Sequence, residues 1–376
     1  MGTMSDEPAP HESPDAPPRI SPSPVRRDER GTWTLTSHAD VQGAALDDRT
    51  FSNAASRFLQ VPNGLDGPTH TAYRALVEEF FTAHRMDAVE PELRRVSAEL
   101  VEALDVPGSL DAVEAGARYA VRAQSVWLGW RADLEEDLLA WMRDNHAATR
   151  SGDRARTAEV AERFDAIIRS LLAERRGVAG VPVDITAELM NTTVLGKPLR
   201  EEEIVSILRN WTGGDLGSMA LCAGVVCAYL ADHPEVQTRL RNGVSDREFD
   251  AVVDEILRID DPFVANRRVA TADVCLGGQQ IAAGDRLSLH WRAANRDPKI
   301  FDDPDAFDPD AHAPYNLVYG IGKHVCPGRP LATLELRVFV RALLAATSAI
   351  ESDPERPRER EQPPVGGYAV VPLRLR

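Results

Sequence analysis

The sequence predicts a mainly α-helical protein with a small β region. Between about residues 69 and 258, apolar side chains recur at spacings of three and four, the period of a helix with one buried face. Short runs of β-type residues follow, and the pairs Gly277-Gly278 and Ala283-Gly284 supply turns between them. A glycine-rich loop around Cys326 then leads into another apolar-periodic helix. These patterns predict a helical scaffold with strands near one edge.

The predicted elements follow in chain order. A short strand at 32–36 precedes a helix that reaches residue 45. Further helices are predicted at 71–81, 92–104, 115–129, 134–147, 157–175, 201–208, 219–231, 235–242 and 247–259. Strands are predicted at 268–276, 280–281, 285–290 and 368–373, with a loop rich in Asp and Pro at 295–309.

Composition limits the domain organisation and the partners. Residues 1–24 are rich in Pro, Asp, Glu and Ser, which predicts a disordered acidic leader before a single domain at 25–376. The chain of 376 residues is 43% apolar, enough to bury a large core. Its net charge of −16 argues against a nucleic-acid partner, because a phosphate-binding surface needs excess positive charge.

The cellular compartment follows from the cysteines and the hydropathy. The four cysteines show no zinc-finger spacing and do not suggest a disulfide framework, which fits a reducing compartment. The sequence contains no run of about 18 apolar residues, the length that would predict a membrane span. We therefore expect a cytoplasmic protein with no membrane partner.

Cys326 lies in the most informative stretch, Tyr319-Gly320-Ile321-Gly322-Lys323-His324-Val325-Cys326-Pro327-Gly328-Arg329-Pro330-Leu331-Ala332. The two glycines of the Gly-x-Gly pair let the backbone turn tightly and approach a flat group. Cys326 precedes a helix whose N-terminus favours a thiolate. A buried structural cysteine would be the default interpretation of an isolated Cys, but the whole string argues against it.

The string resembles the haem-binding loop of the cytochrome P450 monooxygenases, Phe-Gly-x-Gly-x-His/Arg-x-Cys-x-Gly followed by x-x-Leu-Ala. Tyr319 replaces the phenylalanine, and the other named positions match. The resemblance implies the cytochrome P450 fold, with haem b between a long central helix and the cysteine loop. It also implies that Cys326 binds the haem iron, with Gly322 and His324 as further cofactor-binding residues.

The resemblance further implies a reaction and its partners. One atom of dioxygen would be inserted into a small organic substrate, by hydroxylation or oxidative dealkylation. Electrons would come from a ferredoxin or flavodoxin with its reductase, since the chain carries no attached flavin or iron–sulfur domain. Two alternatives remain open at this stage, a peroxide-driven peroxygenase of the same fold and a haem-binding sensor without turnover.

Three more motifs agree with the family in their order. His70 and Arg74 are four residues apart on a predicted helix and resemble a His-x-x-x-Arg pair that holds one haem propionate. Arg268 begins a predicted strand and matches the arginine of the other propionate. Glu255 and Arg258 match the family's buried Glu-x-x-Arg pair.

In the family, an arginine completes the Glu-x-x-Arg pair as a third member. Ala311 stands in the place of that arginine here, beside the Glu255–Arg258 pair. Either His312 or another cation substitutes, or the pair has no third member.

The segment Gly213-Gly214-Asp215-Leu216-Gly217-Ser218 resembles the family's Ala/Gly-Gly-x-Asp/Glu-Thr in the central helix. Counting back from His233-Pro234 places Ser218 at the threonine and Gly217 at the acid, with Asp215 two residues early. A hydroxyl can hold water that carries protons for O–O cleavage. Ser218 and Asp215 are therefore the predicted catalytic residues.

Overall fold

The computed structural model describes residues 24–176 and 184–376, so the predicted leader falls outside the described residues except for its last position. The helices are α1 (His38–Leu46), α2 (Gly67–Glu78), α3 (Ala83–Glu102), α4 (Ala112–Leu128), α5 (Glu135–Ser151), α6 (Arg154–Arg175), α7 (Ile185–Met190), α8 (Glu201–Asp232), α9 (Pro234–Arg241), α10 (Asp246–Ile259), α11 (Trp291–Ala294), α12 (Pro298–Phe301), α13 (Pro309–His312) and α14 (Arg329–Ala346). The strands are β1 (Val25–Arg27), β2 (Trp33–Leu35), β3 (Phe51–Ser52), β4 (Gly108–Asp111), β5 (Thr193–Val194), β6 (Lys197–Pro198), β7 (Asn266–Ala270), β8 (Val274–Leu276), β9 (Gln279–Ile281), β10 (Arg286–Leu289), β11 (Ile350–Ser352), β12 (Glu359–Arg360), β13 (Tyr368–Val370) and β14 (Pro372–Leu375).

The mainly α fold class is confirmed, and the β region is small. One five-stranded sheet has the order β1-β2-β10-β7-β3, in which only the β2–β10 pair is parallel. A three-stranded antiparallel sheet has the order β11-β14-β4. Three two-stranded pairs, β5–β6, β8–β9 and β12–β13, account for the remaining strands of the described residues.

The largest correction concerns α8. The sequence patterns at 201–208 and 219–231 predict two helices, because three glycines separate them and glycine costs about 1 kcal/mol in a helix interior. The structure has one helix of 32 residues through the whole segment. Leu208, Trp211 and Leu216 keep one face buried across the glycines, so tertiary packing outweighs the local penalty.

Helix α8 is also long and apolar enough to cross a membrane, judged by its length and composition. Its most apolar stretch is 67% buried inside the protein, which is typical of the core helix of a folded domain. It packs most extensively against α4, where Gly116 of α4 lies close to Ala220 and Ala223 of α8. The small side chains let the two backbones approach closely.

Two apolar clusters form the core. The larger one spans the helices and includes Leu138, Leu208 and Phe339, and the smaller one fills the space between the five-stranded sheet and α1. The loop before α14 touches both clusters. Its Val318 belongs to the larger cluster, and Leu317 belongs to the smaller one.

Candidate active site

The cysteine loop is a tight turn at the start of α14. Gly320 and Gly322 have φ of +72° and +77°, a backbone conformation that favours glycine. The backbone N–H of Cys326 donates to the carbonyl of Tyr319 over 2.8 Å and closes the turn. The thiol then accepts hydrogen bonds from the backbone N–H groups of Gly328 and Arg329. This geometry aims the sulfur of Cys326 into a cavity.

The thiol of Cys326 has a raised pKa in this setting. Burial is the largest cause, and the hydrogen bonds from Gly328 and Arg329 oppose it. The exposed surface of Cys326 is part of the cavity wall. Burial thus opposes the thiolate that the sequence predicts at this helix N-terminus. The iron of a bound haem would favour the thiolate, because a coordinating thiol is deprotonated.

The cavity has a volume of about 610 Å³ and separates the cysteine loop from α8. Cys326, Gly320 and His324 line one side, while Ser218 and Asp215 of α8 line the other. The prediction of a flat group between a central helix and a cysteine loop fits this arrangement. Among the described residues, no group of three or more His, Cys, Asp or Glu side chains could hold a metal ion alone.

A cationic cluster forms one wall of the cavity. The rings of His70 and His324 lie 4.0 Å apart, and Arg268 is 4% exposed. Within the described part of the chain, Nε2 of His324 has no hydrogen-bond partner. The nearest carboxylate, Asp66, lies 3.9 Å from it. The guanidinium of Arg268 donates to the backbone carbonyl of Arg267 over 2.8 Å.

Burial acts on each member of this cluster. It lowers the pKa of Arg268 to about 10 and, together with the charges of His70 and Arg268, lowers the pKa of His324 to about 4. The pKa of His70 is also lowered by burial and by Arg74. The buried charge of Arg268, with the unpaired ring nitrogen of His324 nearby, calls for an anion that also accepts hydrogen bonds. The paired carboxylates of the haem b propionates fit this requirement.

Arg74 has different contacts from the rest of the predicted propionate set. Its Nε donates to Glu78 over 2.7 Å, and Nη1 donates to the carbonyl of Val325 over 2.5 Å. Arg74 thus ties α2 to the residue before Cys326. The role of Arg74 at a propionate stays a prediction.

Gly322 also lies apart from the cavity wall. A Cβ added to Gly322 would meet Leu46 of α1 at 3.0 Å, whereas Gly320 lines the cavity. The close approach at Gly322 is therefore to α1. Its predicted contact with the cofactor stays a prediction.

On α8, Ser218 and Asp215 both reach the cavity, but Asp215 also takes part in a buried network. Gln124 of α4 and Glu335 of α14 lie beside its carboxyl group, and burial raises its pKa to about 7. Burial and Asp215 raise the pKa of Glu335 well above its ordinary value. Two buried carboxyl groups side by side disfavour a charge on both, so the pair keeps a proton more readily than free carboxyl groups do.

The sequence analysis missed Gln124 and Glu335. Glu335 lies nine residues after Cys326, within the apolar stripe of α14, and is 0% exposed. A charged residue on the buried face of a helix was the signal that could have found it. Gln124 gives no comparable signal, because only the tertiary fold brings α4 beside α8.

Beneath the cysteine loop, the Glu255–Arg258 pair is confirmed as buried. Nε of Arg258 donates to Glu255 over 2.8 Å, and both side chains are at most 2% exposed. His312 fills the third place, since its Nδ1 lies 2.6 Å from Oε1 of Glu255. Of the possibilities left open by the sequence, the structure selects His312. It also adds a contact between the guanidinium of Arg258 and the ring of Phe301 at 4.6 Å.

Comparisons with known proteins agree with this site. The family model described as Cytochrome P450 matches residues 137–371. Cyclomarin C epoxidase CymV of Salinispora arenicola is 31% identical over 338 residues, which covers 85% of this chain and 84% of that protein. Erythromycin C-12 hydroxylase of Saccharopolyspora erythraea is 28% identical and covers 90% of this chain and 88% of that protein.

The solved structures that match this chain share its fold. A mutant of P450 EryK in complex with erythromycin B superposes with a TM-score of 0.85 at 27% identity, covering 94% of this chain and 93% of that one. The hydroxylase HmtN of himastatin biosynthesis gives a TM-score of 0.83 at 26% identity, with 95% of both chains covered. The chain belongs to the cytochrome P450 family and is a haem-thiolate monooxygenase that uses haem b.

Proposed function

We propose that this P450 oxygenates a small organic molecule that carries several hydrogen-bonding groups. Electrons come from a ferredoxin or flavodoxin with its reductase, and the reaction takes place in the cytoplasm in one domain that spans residues 25–376. Neither nucleic acid nor a membrane takes part. Haem b held through a cysteine thiolate supplies the reductive activation of dioxygen and the insertion of one oxygen atom.

The amide side chains of the cavity carry the substrate proposal. The set consists of Asn53, Gln60, Asn63, Asn210 and Asn266, alongside aromatic residues such as Trp127, Trp211 and Phe263. Apolar pockets with a few placed polar groups bind small molecules in a defined orientation. A wall with this many amides suits carbonyl and hydroxyl groups better than a bare hydrocarbon.

Among these five amides, Asn53 gives the strongest evidence for a substrate contact. Its Nδ2 is buried and has no hydrogen-bond partner in the described part of the chain. A buried donor without a partner costs about 1–3 kcal/mol. Asn210 differs, because its Nδ2 already donates to the carbonyl of Val61 over 2.9 Å. Asn53 therefore has a donor free for a substrate carbonyl.

The relatives support a substrate of this kind. Their names refer to the epoxidation of cyclomarin C, the C-12 hydroxylation of erythromycin and the hydroxylation of 6-deoxyerythronolide B. None of these three names refers to a plain hydrocarbon. We extend this substrate class, and no single compound, to the present chain.

A ligand screen tests the substrate proposal. Macrolides, cyclic peptides and plain terpenes would be titrated against the ferric protein, with the change of spin state read from the Soret band. Oxygen-rich compounds should bind, and Asn53→Leu should weaken their binding about tenfold, from one lost hydrogen bond of about 1.4 kcal/mol. Asn191→Leu, on the surface, is the control. Tight binding of terpenes alone would contradict the proposal.

Cys326 is the proposed ligand of the iron. In the reduced protein with carbon monoxide, thiolate ligation should give the red-shifted Soret band peculiar to sulfur. Cys326→Ala should lose that band, while Cys275→Ala, at an exposed cysteine of β8, should keep it. A Cys326→Ala protein with an unchanged spectrum would disprove the assignment.

Ser218 is the proposed carrier of protons, with Asp215 as a second candidate. The support is that both line the cavity with Cys326, and that burial raises the pKa of Asp215 to about 7. Ser218→Ala should raise the peroxide released per electron consumed and leave the carbon monoxide spectrum unchanged. Unchanged peroxide release would reduce Ser218 to a packing residue.

A peroxide-driven reaction is the second candidate, and Gly217 is the observation that favours it. The helix has no carboxylate next to Ser218, so the usual acid of the family is missing from that position. Faster oxidation of a bound substrate with hydrogen peroxide than with ferredoxin and reductase would support this candidate. The reverse order of rates would exclude it.

A further inference from the structure

A second cavity meets the first one at Ser218. It has a volume of about 260 Å³ and lies between α5 and α8, beside the turn at 262–266 and the loop around residue 364. Asn145, His146 and Thr149 of α5 line it together with Gly217 and Ser218 of α8. Ser218 also lines the cavity that holds Cys326. Ser218 therefore forms part of the wall between the two spaces, together with Phe263, Ala265 and Asn266.

His146 faces the position where the family has its acid. A Cβ added to Gly217 would lie only 2.9 Å from Nε2 of His146, closer than real side-chain carbons come to such an atom. The imidazole nitrogen therefore occupies the space where a carboxylate side chain at position 217 would begin. Glycine at 217 is what leaves room for the ring, and the neighbouring residue on α8 is Ser218.

We propose that His146 replaces the missing acid and passes protons from the second cavity to Ser218. The proposal rests on the monooxygenase reaction and on the proton-carrying role of Ser218. Two protons are consumed when the O–O bond of dioxygen breaks, with electrons from the redox partner. Each proton that Ser218 gives up is replaced through Nε2 of His146, and the imidazole recovers a proton from water in the second cavity.

The surroundings of His146 suit a group that both accepts and donates a proton. Burial and Arg150 lower its pKa, and Glu361 opposes that shift, so the ring is neutral at physiological pH. A neutral imidazole has one donor and one acceptor nitrogen. These two charged groups also hold each other, because Arg150 donates to Glu361 over 2.8 Å and Glu361 is 4% exposed.

The ion pair between Arg150 and Glu361 also bears on whether the basic loop at 150–156 binds an acidic ligand. From the sequence alone, Arg150 and the neighbouring Arg154 and Arg156 could favour an acidic or phosphorylated ligand, although a solvated basic loop is the simpler explanation. In the structure the positive charge of Arg150 is already matched by Glu361. Arg154 and Arg156 are exposed and do not line the second cavity. A water-filled route to Ser218 therefore fits better than an anion site.

The first test measures contact between positions 146 and 217 without turnover. Gly217→Ala should stabilise a helix by removing glycine, but in the parent protein the new methyl group meets His146. The melting temperature of the ferric holoprotein should therefore rise more on Gly217→Ala in a His146→Ala background than in the parent. Equal shifts in both backgrounds would mean that the two positions do not interact, and would overturn the geometry behind the proposal.

The second test asks whether a carboxylate at position 217 can take over the proton transfer proposed for His146. The holoprotein would oxidise NADPH through a surrogate ferredoxin and its reductase, without added substrate, and peroxide per NADPH would be measured. We expect His146→Ala and His146→Gln each to raise this ratio at least twofold. Adding Gly217→Asp to His146→Ala should return the ratio toward the parent value, because the carboxylate then stands next to Ser218. Arg143→Ala, at an exposed position of α5 outside the second cavity, is the control.

The outcomes separate this proposal from the one on which it rests. A raised ratio in Ser218→Ala with a parental ratio in both His146 variants would overturn the role of His146 alone. A parental ratio in Ser218→Ala as well would overturn the relay through Ser218. A raised ratio in His146→Ala that Gly217→Asp fails to lower would assign His146 to packing and reject proton transfer through it.

Discussion

The surroundings of the Arg268 side chain indicate that it faces an anion. It is buried, its pKa is lowered to about 10 by that burial, and its one hydrogen bond among the described residues goes to the carbonyl of Arg267. A charge in such a place is costly unless an anion faces it. Its neighbour Arg267 is exposed, so the two arginines offer a matched comparison on one strand.

We predict that Arg268→Ala speeds the loss of haem while Arg267→Ala does not. One charge-assisted hydrogen bond contributes about 1.5–3 kcal/mol, which corresponds to about a tenfold to hundredfold change. The transfer of haem to an acceptor apoprotein measures the rate. Equal rates in the two variants would show that Arg268 does not hold the propionate.

Asp215 predicts a pH effect whose sign can be worked out. Its pKa is raised from 3.8 to about 7, so between these values the native protein keeps a proton that the unfolded chain has lost. Stability contributed by this site is therefore present below pH 4 and is lost as pH rises toward 7, by at most about 1.4 kcal/mol per pH unit.

We expect Asp215→Asn to flatten the fall of stability between pH 4 and pH 7. The urea midpoint of the holoprotein, followed across that range, measures the slope. Asp87→Asn, at an exposed position of α3, should leave it unchanged. A parental slope in Asp215→Asn would mean that another acid of this network, such as Glu335, holds the proton.

At the scale of the elements, much of the site could be predicted from sequence. The cysteine loop, the strand of Arg268 and the Glu255–Arg258 pair could be predicted because each lies in a short stretch of sequence that resembles a motif of the family. Helix α8 was predicted as two helices because local glycine penalties do not include the packing of Trp211 and Leu216. His146 and Gln124 could not be found, since each acts on α8 from another helix.

The contact between α13 and α10 gives a prediction about stability. His312→Ala would leave Glu255 with Arg258 and the backbone N–H of Asp308, but without its second side-chain partner. We expect a loss of about 1–3 kcal/mol, the cost of an unmet hydrogen bond at a buried carboxylate. His84→Ala, at an exposed position, should change stability by less than about 0.5 kcal/mol. Chemical unfolding of the holoprotein measures both, and equal losses would contradict the assignment.

At the scale of the molecule, the net charge of −16 bears on how an electron donor can dock. The sequence predicts a docking surface of Lys323, Arg329 and Arg74 on the cysteine side, but Arg74 is buried and cannot contribute to it. Lys323 and Arg329 remain more than half exposed. They are held by Asp48 and Asp254, respectively, so the positive potential there is weak.

We therefore predict a modest, salt-sensitive contribution of these two cations to electron transfer. The double variant Lys323→Ala/Arg329→Ala should be reduced several-fold more slowly by ferredoxin at low salt. The difference should shrink near physiological ionic strength, where charges are screened beyond about 8 Å. Stopped-flow reduction measures the rates, with Arg95→Ala on α3 as the control. A difference that does not depend on salt would point to lost packing instead of charge.

The position of the cysteine loop between the two apolar clusters has a consequence for the stability of the protein. Leu317 packs with the sheet, Val318 packs with the helices, and Gly322 rests on α1. Haem bound at this loop would therefore stabilise both clusters at once, because a ligand that binds only the folded state raises its stability. The protein without haem is expected to be the less stable and more protease-sensitive form.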